Sequence, residues 1–210
     1  IPCFFSGRTD ALFMGYYSEN ARQQEKDAVR LEKILHIAQE KREAMAPAPL
    51  PDGRFTFREC TRNDVSIMAA IYRKRFASYP FPIHQVDYLL ETMESHVVYF
   101  GVEAGGHLVA LASAEVDREA SNVEMTDFAT LPAWAGYNLS LHLLRCMERE
   151  MRQQNIRTAY TIARAMSPAM NITFARAGYS FAGRLKNNTN ISGSIESMNV
   201  WYNHLYENTG

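Results

Sequence analysis

Asn122-Val123-Glu124-Met125-Thr126-Asp127-Phe128-Ala129-Thr130-Leu131 runs directly into Pro132-Ala133-Trp134-Ala135-Gly136-Tyr137-Asn138. A long helical pattern follows, to about Gln154, with Leu139, Leu143, Met147 and Met151 on one face. The order is strand, short turn, amphipathic helix. Downstream lie a strand over 157–163, a helix over 167–177 stopped by Gly178, and strands over 179–185 and 196–202. The polar run 186–194 separates the last two and reads as a loop. Upstream, strands over 97–103 and 107–117 are joined by Ala104-Gly105-Gly106, a hairpin signal. Before them come a strand over 55–59, a helix capped by Thr61 or Asn63 and running to about Phe76, the break Tyr79-Pro80-Phe81-Pro82, and a second helix over 84–94. This order is neither a strict strand–helix repeat nor all-β. It predicts an α/β (α+β) architecture, a mixed central sheet with helices on both faces.

Residues 1–50 read differently. Ala11 to Tyr17 suggests a short strand, and Ser18 is placed to cap a polar helix over 19–43. Ala28, Leu31, Ile34, Leu35 and Ala38 form its apolar stripe. The Pro-rich run 46–53 reads as a linker, giving an N-terminal segment over 1–50 and a main domain over 54–205. The 210 residues, 47% hydrophobic and 21% charged, suit a folded globular chain. No stretch approaches the ~18 apolar residues of a membrane span, and no signal-peptide pattern opens the chain. A net charge of -1 without a Lys/Arg cluster gives no nucleic-acid footprint. Cys3, Cys60 and Cys146 are scattered and fit a reducing cytoplasm, and no His lies at metal-ligand spacing. Apolar residues on the N-terminal helix permit a homodimer without requiring one.

The element order over roughly 54–205 resembles the GNAT acetyltransferase fold. In that superfamily a central strand ends in a pyrophosphate-binding loop, usually Gln/Arg-x-x-Gly-x-Gly/Ala. Here the matching stretch runs from Ala133 to Asn138, and only Gly136 fits the pattern. The helix start retains its amides and dipole, which hold an anion. Asn138 tolerates left-handed backbone and can replace a glycine, and Ala135 stands where Arg is common. Longer strings are similar to the beta-lysine N-acetyltransferase family: Glu124 to Pro132, Ala159 to Ala165, Asn171 to Ala175 with Gly178-Tyr179, Asn187 to Ser194, and Glu196 to Tyr202. Residues 1–45 resemble the middle of that family's N-terminal region, which implies a piece upstream.

The resemblance implies transfer of acetyl from acetyl-CoA, the cosubstrate, to the terminal amine of beta-lysine, making a zwitterionic compatible solute. The histidine spacing implies no metal. An alkyl ammonium with a pKa of about 10.4 must first lose a proton, so a base is needed. Glu124 and Asp127, three apart on one strand, are expected on opposite faces, and either is a candidate. The backbone of Phe128, Ala129, Thr130 and Leu131 matches the pantetheine-binding edge. Ala135, Gly136, Tyr137, Asn138, Leu139 and Ser140 match the phosphate loop. Asn171 and Phe174 match the cofactor side of the last helix. The family's thiolate-protonating Tyr corresponds to Phe174, which has no proton to give; Tyr160 and Tyr179 are alternatives, or no protein acid is used. Arg164 is the candidate for the acceptor's carboxylate, Asn187 and Asn190 for its polar groups, and Glu196 for its second ammonium. Two other readings stand beside this one: a related enzyme acting on another small amine, and a non-catalytic domain that binds acyl-CoA.

Overall fold

The computed structural model describes residues 1–43 and 53–206. Its elements are α1 (Ala28–Glu43), β1 (Phe55–Glu59), α2 (Val65–Arg75), α3 (Val86–Met93), β2 (Val97–Ala104), β3 (His107–Asp117), β4 (Asn122–Thr130), α4 (Leu139–Gln153), β5 (Thr158–Arg164), α5 (Pro168–Arg176), β6 (Ser180–Ile191) and β7 (Ser194–His204). The strands form one sheet in the order β1-β2-β3-β4-β5-β7-β6. Only β4 and β5 run parallel; every other neighbouring pair is antiparallel.

Alternating side chains send apolar groups to both faces of the sheet. On one face Met125, Val123 and Trp201 pack with Leu143 and Met147 of α4, Phe174 of α5, and Leu35 and Ala38 of α1. On the other face Tyr99 and Leu111 pack with Met68 and Tyr72 of α2 and Leu89 of α3. The mixed sheet with helices on both faces is therefore the fold that the element order predicts. The α4 stripe of Leu139, Leu143, Met147 and Met151 is wholly buried. Thr61 and Asp64 form a capping box ahead of α2.

Three expectations need correction. Residues 11–17 form no strand; Leu12, Met14 and Tyr16 are at least 86% exposed, so nothing pairs with or packs on them. The N-terminal helix starts at Ala28 instead of 19, after a separate 3-10 turn at Asn20–Gln23. Leu31, Ile34, Leu35 and Ala38 are buried while Ala28 is exposed, so the helix begins where its apolar stripe can be covered. The polar run 186–194 is strand for most of its length: β6 continues to Ile191 and turns back through Ser192 and Gly193 into β7. As an edge strand with an open face, β6 accommodates polar side chains, which made it read as a loop. The Pro-rich stretch lies outside the described residues except Gly53.

Candidate active site

The parallel ladder between β4 and β5 is short. It covers Asn122 to Glu124 against Thr158 to Tyr160 and then stops. Beyond it the strands diverge, because β4 is bulged: Leu111 pairs with Ala129, but Ser113 pairs with Thr126, so β4 carries one extra residue there. Asp127 sits in the bulge with φ 55°. The split opens a cavity of about 470 Å³. Its walls are Thr126, Asp127, Phe128 and Thr130 from β4, Thr161 to Arg164 from β5, and Met170, Thr173 and Phe174 from α5. Arg75, Phe76 and Tyr79 close one end, and Trp134 to Ser140, apart from Tyr137, the other.

At the second end Gly136 (φ 89°) and Asn138 (φ 55°) are both left-handed. Asn138 therefore does the backbone work of a glycine, as its residue type predicts. Its side chain does not cap α4, which leaves the first amides of that helix without a side-chain acceptor. The Asn138 Oδ1 instead accepts from Arg176 Nη1 at 3.1 Å. Arg176 also lines the cavity, so a cation stands beside the turn although position 135 is alanine. A 15-residue helix start, two left-handed turns and an arginine suit a phosphate group.

The two carboxylates lie on the same face, contrary to simple alternation. Glu124 pairs across the sheet with Glu115. Ser113, two residues before Glu115, donates to Asp127 Oδ2 at 2.6 Å. The inserted residue at the bulge resets the parity and swings Asp127 to the Glu124 side. Their surroundings differ. Asp127 lines the cavity, and the Tyr79 hydroxyl donates to its Oδ1. Burial raises the Asp127 pKa, and hydrogen bonds from Ser113, Tyr79 and Thr126 oppose that rise. Burial, helped by the negative charges of Glu115 and Asp127, pushes Glu124 up to about 8, against hydrogen bonds from the Ile162 amide and the Tyr160 hydroxyl. Glu124 is thus held against β5 and does not line the cavity.

The remaining candidates fall into two groups. Thr130, Leu139, Ser140, Phe128 and Phe174 line the cavity with the turn residues Ala135, Gly136 and Asn138. Phe174 packs edge-on against Phe128. The acceptor-side residues are mostly engaged within the protein. Arg164 and Glu196 hold each other through two bonds of 2.9 and 2.7 Å, so neither charge is free. The Asn171 side chain is fully buried: it donates to the carbonyls of Arg164 and Ser167 and accepts from Asn199 and Trp201. That carboxamide has no capacity left for a cosubstrate. Asn187 donates to the Arg22 and Gln24 carbonyls and so fastens the N-terminal segment. Asn190 lies on the strand face opposite Ile191, and Ile191 is the one that lines the cavity. Tyr160 meets Phe4 and Phe13 and lies outside the main cavity, bordering a second one with Glu115 and His96. Tyr79, Ser113 and Arg176 escaped the sequence reading. The break at Tyr79-Pro80 was visible, but its reach to Asp127 is a tertiary contact.

Among the described residues no group of three His, Cys, Asp or Glu is placed to hold a metal. No helix of the described chain is long and apolar enough to cross a membrane.

Comparison with known proteins agrees with this geometry. Residues 66–179 match the model of the acetyltransferase (GNAT) family. The chain is 40% identical over 193 residues to a beta-lysine N(6)-acetyltransferase of Methanococcus maripaludis, covering 92% of this chain and 70% of that protein. It is 43% identical over 152 residues to a beta-lysine N(6)-acetyltransferase of Methanosarcina mazei, covering 72% of this chain and 56% of that one. Among solved structures, spermidine N-acetyltransferase from Vibrio cholerae, crystallised with CoA and spermine, shares the fold at a TM-score of 0.62 and 17% identity, over 73% of this chain and 97% of that one. The split between β4 and β5, the anion-ready start of α4 and these matches together place the chain in the GNAT acetyltransferase family.

Proposed function

We propose that the chain transfers the acetyl group of acetyl-CoA to the terminal amine of beta-lysine. The 40–43% identity to enzymes of that name carries the acceptor assignment. The cavity between the diverging strands supports the reaction. The chain spans 70% and 56% of those two relatives, so the reading concerns the acetyltransferase unit they share with it.

The start of α4, Gly136, Asn138 and Arg176 would hold the phosphates of acetyl-CoA. The β4 edge past Glu124 has no β5 partner, and its backbone would hydrogen-bond the pantetheine arm from Phe128 to Leu131. Asp127 is the base of this reading: it is the carboxylate that faces the cavity, and its two oxygens are fixed by Tyr79 and Ser113. It takes a proton from the acceptor ammonium, directly or through water, and the free amine attacks the thioester carbonyl. The carbon–sulfur bond breaks, and the CoA thiolate leaves without a phenol on α5, since Phe174 has none; the second proton lost by the acetylated nitrogen passes to the thiolate or to water. Glu124, proton-bearing at neutral pH, contributes polarity next to Asp127 instead of a base. The Arg164–Glu196 pair ties the end of β5 to β7 beside the cavity that Arg164 lines, and a zwitterionic acceptor would exchange its own charges into that pair. The product, neutral at its acetylated end, has the character of a compatible solute.

Product analysis tests this reading. Incubation with acetyl-CoA and beta-lysine is expected to give a monoacetyl product whose new amide proton couples, by NMR, to the terminal methylene. Acetylation at the other amine, or of α-lysine at an equal rate, would contradict it.

A further inference from the structure

The loop between α2 and α3 joins two parts of the site that are far apart in sequence. At one end Ser78 is held by the tip of the β6–β7 hairpin: the Ser192 amide donates to the Ser78 carbonyl at 3.3 Å, and the Gly193 amide to its Oγ at 2.8 Å. At the next residue the Tyr79 hydroxyl reaches Asp127 Oδ1 in the β4 bulge. The ring is fixed by Phe76, 4.8 Å between centroids, and Phe76 in turn stands by Tyr72. Asp127 Oδ2 takes the Ser113 hydroxyl. Thr126 is a third hydroxyl donor to the same carboxylate, which with about four lone-pair sites on its two oxygens can still accept from a ligand in the cavity.

The groups around Asp127 are mostly acids. Tyr72 from α2, Tyr88 from α3, Tyr99 from β2, Glu115 from β3 and Glu124 from β4 all interact electrostatically with it. Arg75, which also lines the cavity, is exposed, and solvent screens it. Burial favours the protonated carboxyl. The hydroxyl donors Tyr79, Ser113 and Thr126 favour the ionised one.

We propose that Tyr79 is a positioning residue, held by the hairpin tip through Ser78, that orients the Asp127 carboxylate toward the acceptor. This rests on the reading of Asp127 as the base. It assigns the α2–α3 loop a role in catalysis that no resemblance supplied, and it couples the hairpin that borders the acceptor to the carboxylate that deprotonates it.

The test is Tyr79→Phe, which removes one oxygen and keeps the ring. Protein carrying 13C in the aspartate carboxyls is titrated by NMR, with the Asp127 signal identified by its loss in Asp127→Asn. The Asp127 midpoint is expected to rise by about one pH unit, a tenfold gain in proton affinity. The acid limb of the kcat profile is expected to move with it, while KM for acetyl-CoA stays unchanged. An unmoved midpoint overturns the proposal, and so does a shifted midpoint with an unshifted kcat profile. Where Tyr79→Phe does not fold, Ser78→Ala decides: it spares the aromatic packing, and a smaller upward shift is expected, an unmoved midpoint being the contrary result. The titration needs no acceptor, so it stands apart from the identity of the amine. Full activity in Asp127→Asn would sink the reading of the base itself; an inactive Asp127→Asn with an unmoved Tyr79→Phe midpoint would sink only the role of Tyr79.

Discussion

Asn171→Ala tests the internal frame of the site. The Asn171 carboxamide is fully buried and makes four hydrogen bonds. Two go to carbonyls that keep another donor: the Ser167 carbonyl also takes the Asn171 amide, and the Arg164 carbonyl takes the Ser167 amide. The other two come from Asn199 Nδ2 at 2.8 Å and Trp201 Nε1 at 3.0 Å, and the structure shows no second acceptor for either. Truncation strands both donors in the core. At about 1–3 kcal/mol for each unsatisfied group, the loss is about 4 kcal/mol. With an m-value of about 2 kcal/mol/M, the urea midpoint should fall by about 2 M. Trp201 lies at the site, so its fluorescence reports the transition. KM for acetyl-CoA, measured where the variant is folded, should change little. A midpoint lowered by less than about 0.5 M, together with a large rise in that KM, would refute the reasoning. It would mean that the amide faces the cosubstrate, as its place on the last helix first implied.

Three other perturbations follow from the site. Asp127→Asn should lower kcat by about 10²- to 10³-fold with thermal stability largely kept, measured by thiol release and calorimetry; near-wild-type turnover would move the base elsewhere. Arg164→Ala and Glu196→Ala should each raise the acceptor KM, and the double variant should do so by less than their product, because each single change strands the other charge. Glu124 has a folded pKa of about 8 against an ordinary 4.5, so between those values the folded state holds a proton that the unfolded state has lost. Stability therefore falls as pH rises through that window, and Glu124→Gln should flatten the fall, read as melting temperature against pH. An unchanged slope would contradict the burial of that carboxyl.

Much of the fold was legible because its periodicities were strong. The strand over 55–59, the hairpin at Gly105-Gly106 and the α4 stripe are local patterns, and each appears where its spacing places it. The site was less legible because its key events are not local. Glu124 and Asp127 were expected on opposite faces, but a bulge of one residue reverses the parity, and no residue type announces it. Asn187 and Asn171 read as polar groups ready for ligands. The fold uses the first to fasten residues 22–24 and the second to tie α5 to β5 and β7. Arg164 and Glu196, 32 residues apart, meet only because β5 and β7 are neighbours in the sheet. Asn138 was the exception: its tolerance of left-handed backbone was readable, and the structure uses it.

The most direct test of the account is thiol release from acetyl-CoA in the presence of beta-lysine, of α-lysine, and of no acceptor. The account predicts release that depends on the acceptor and strongly prefers beta-lysine. No release with any amine, from protein shown by calorimetry to bind acetyl-CoA, would contradict it.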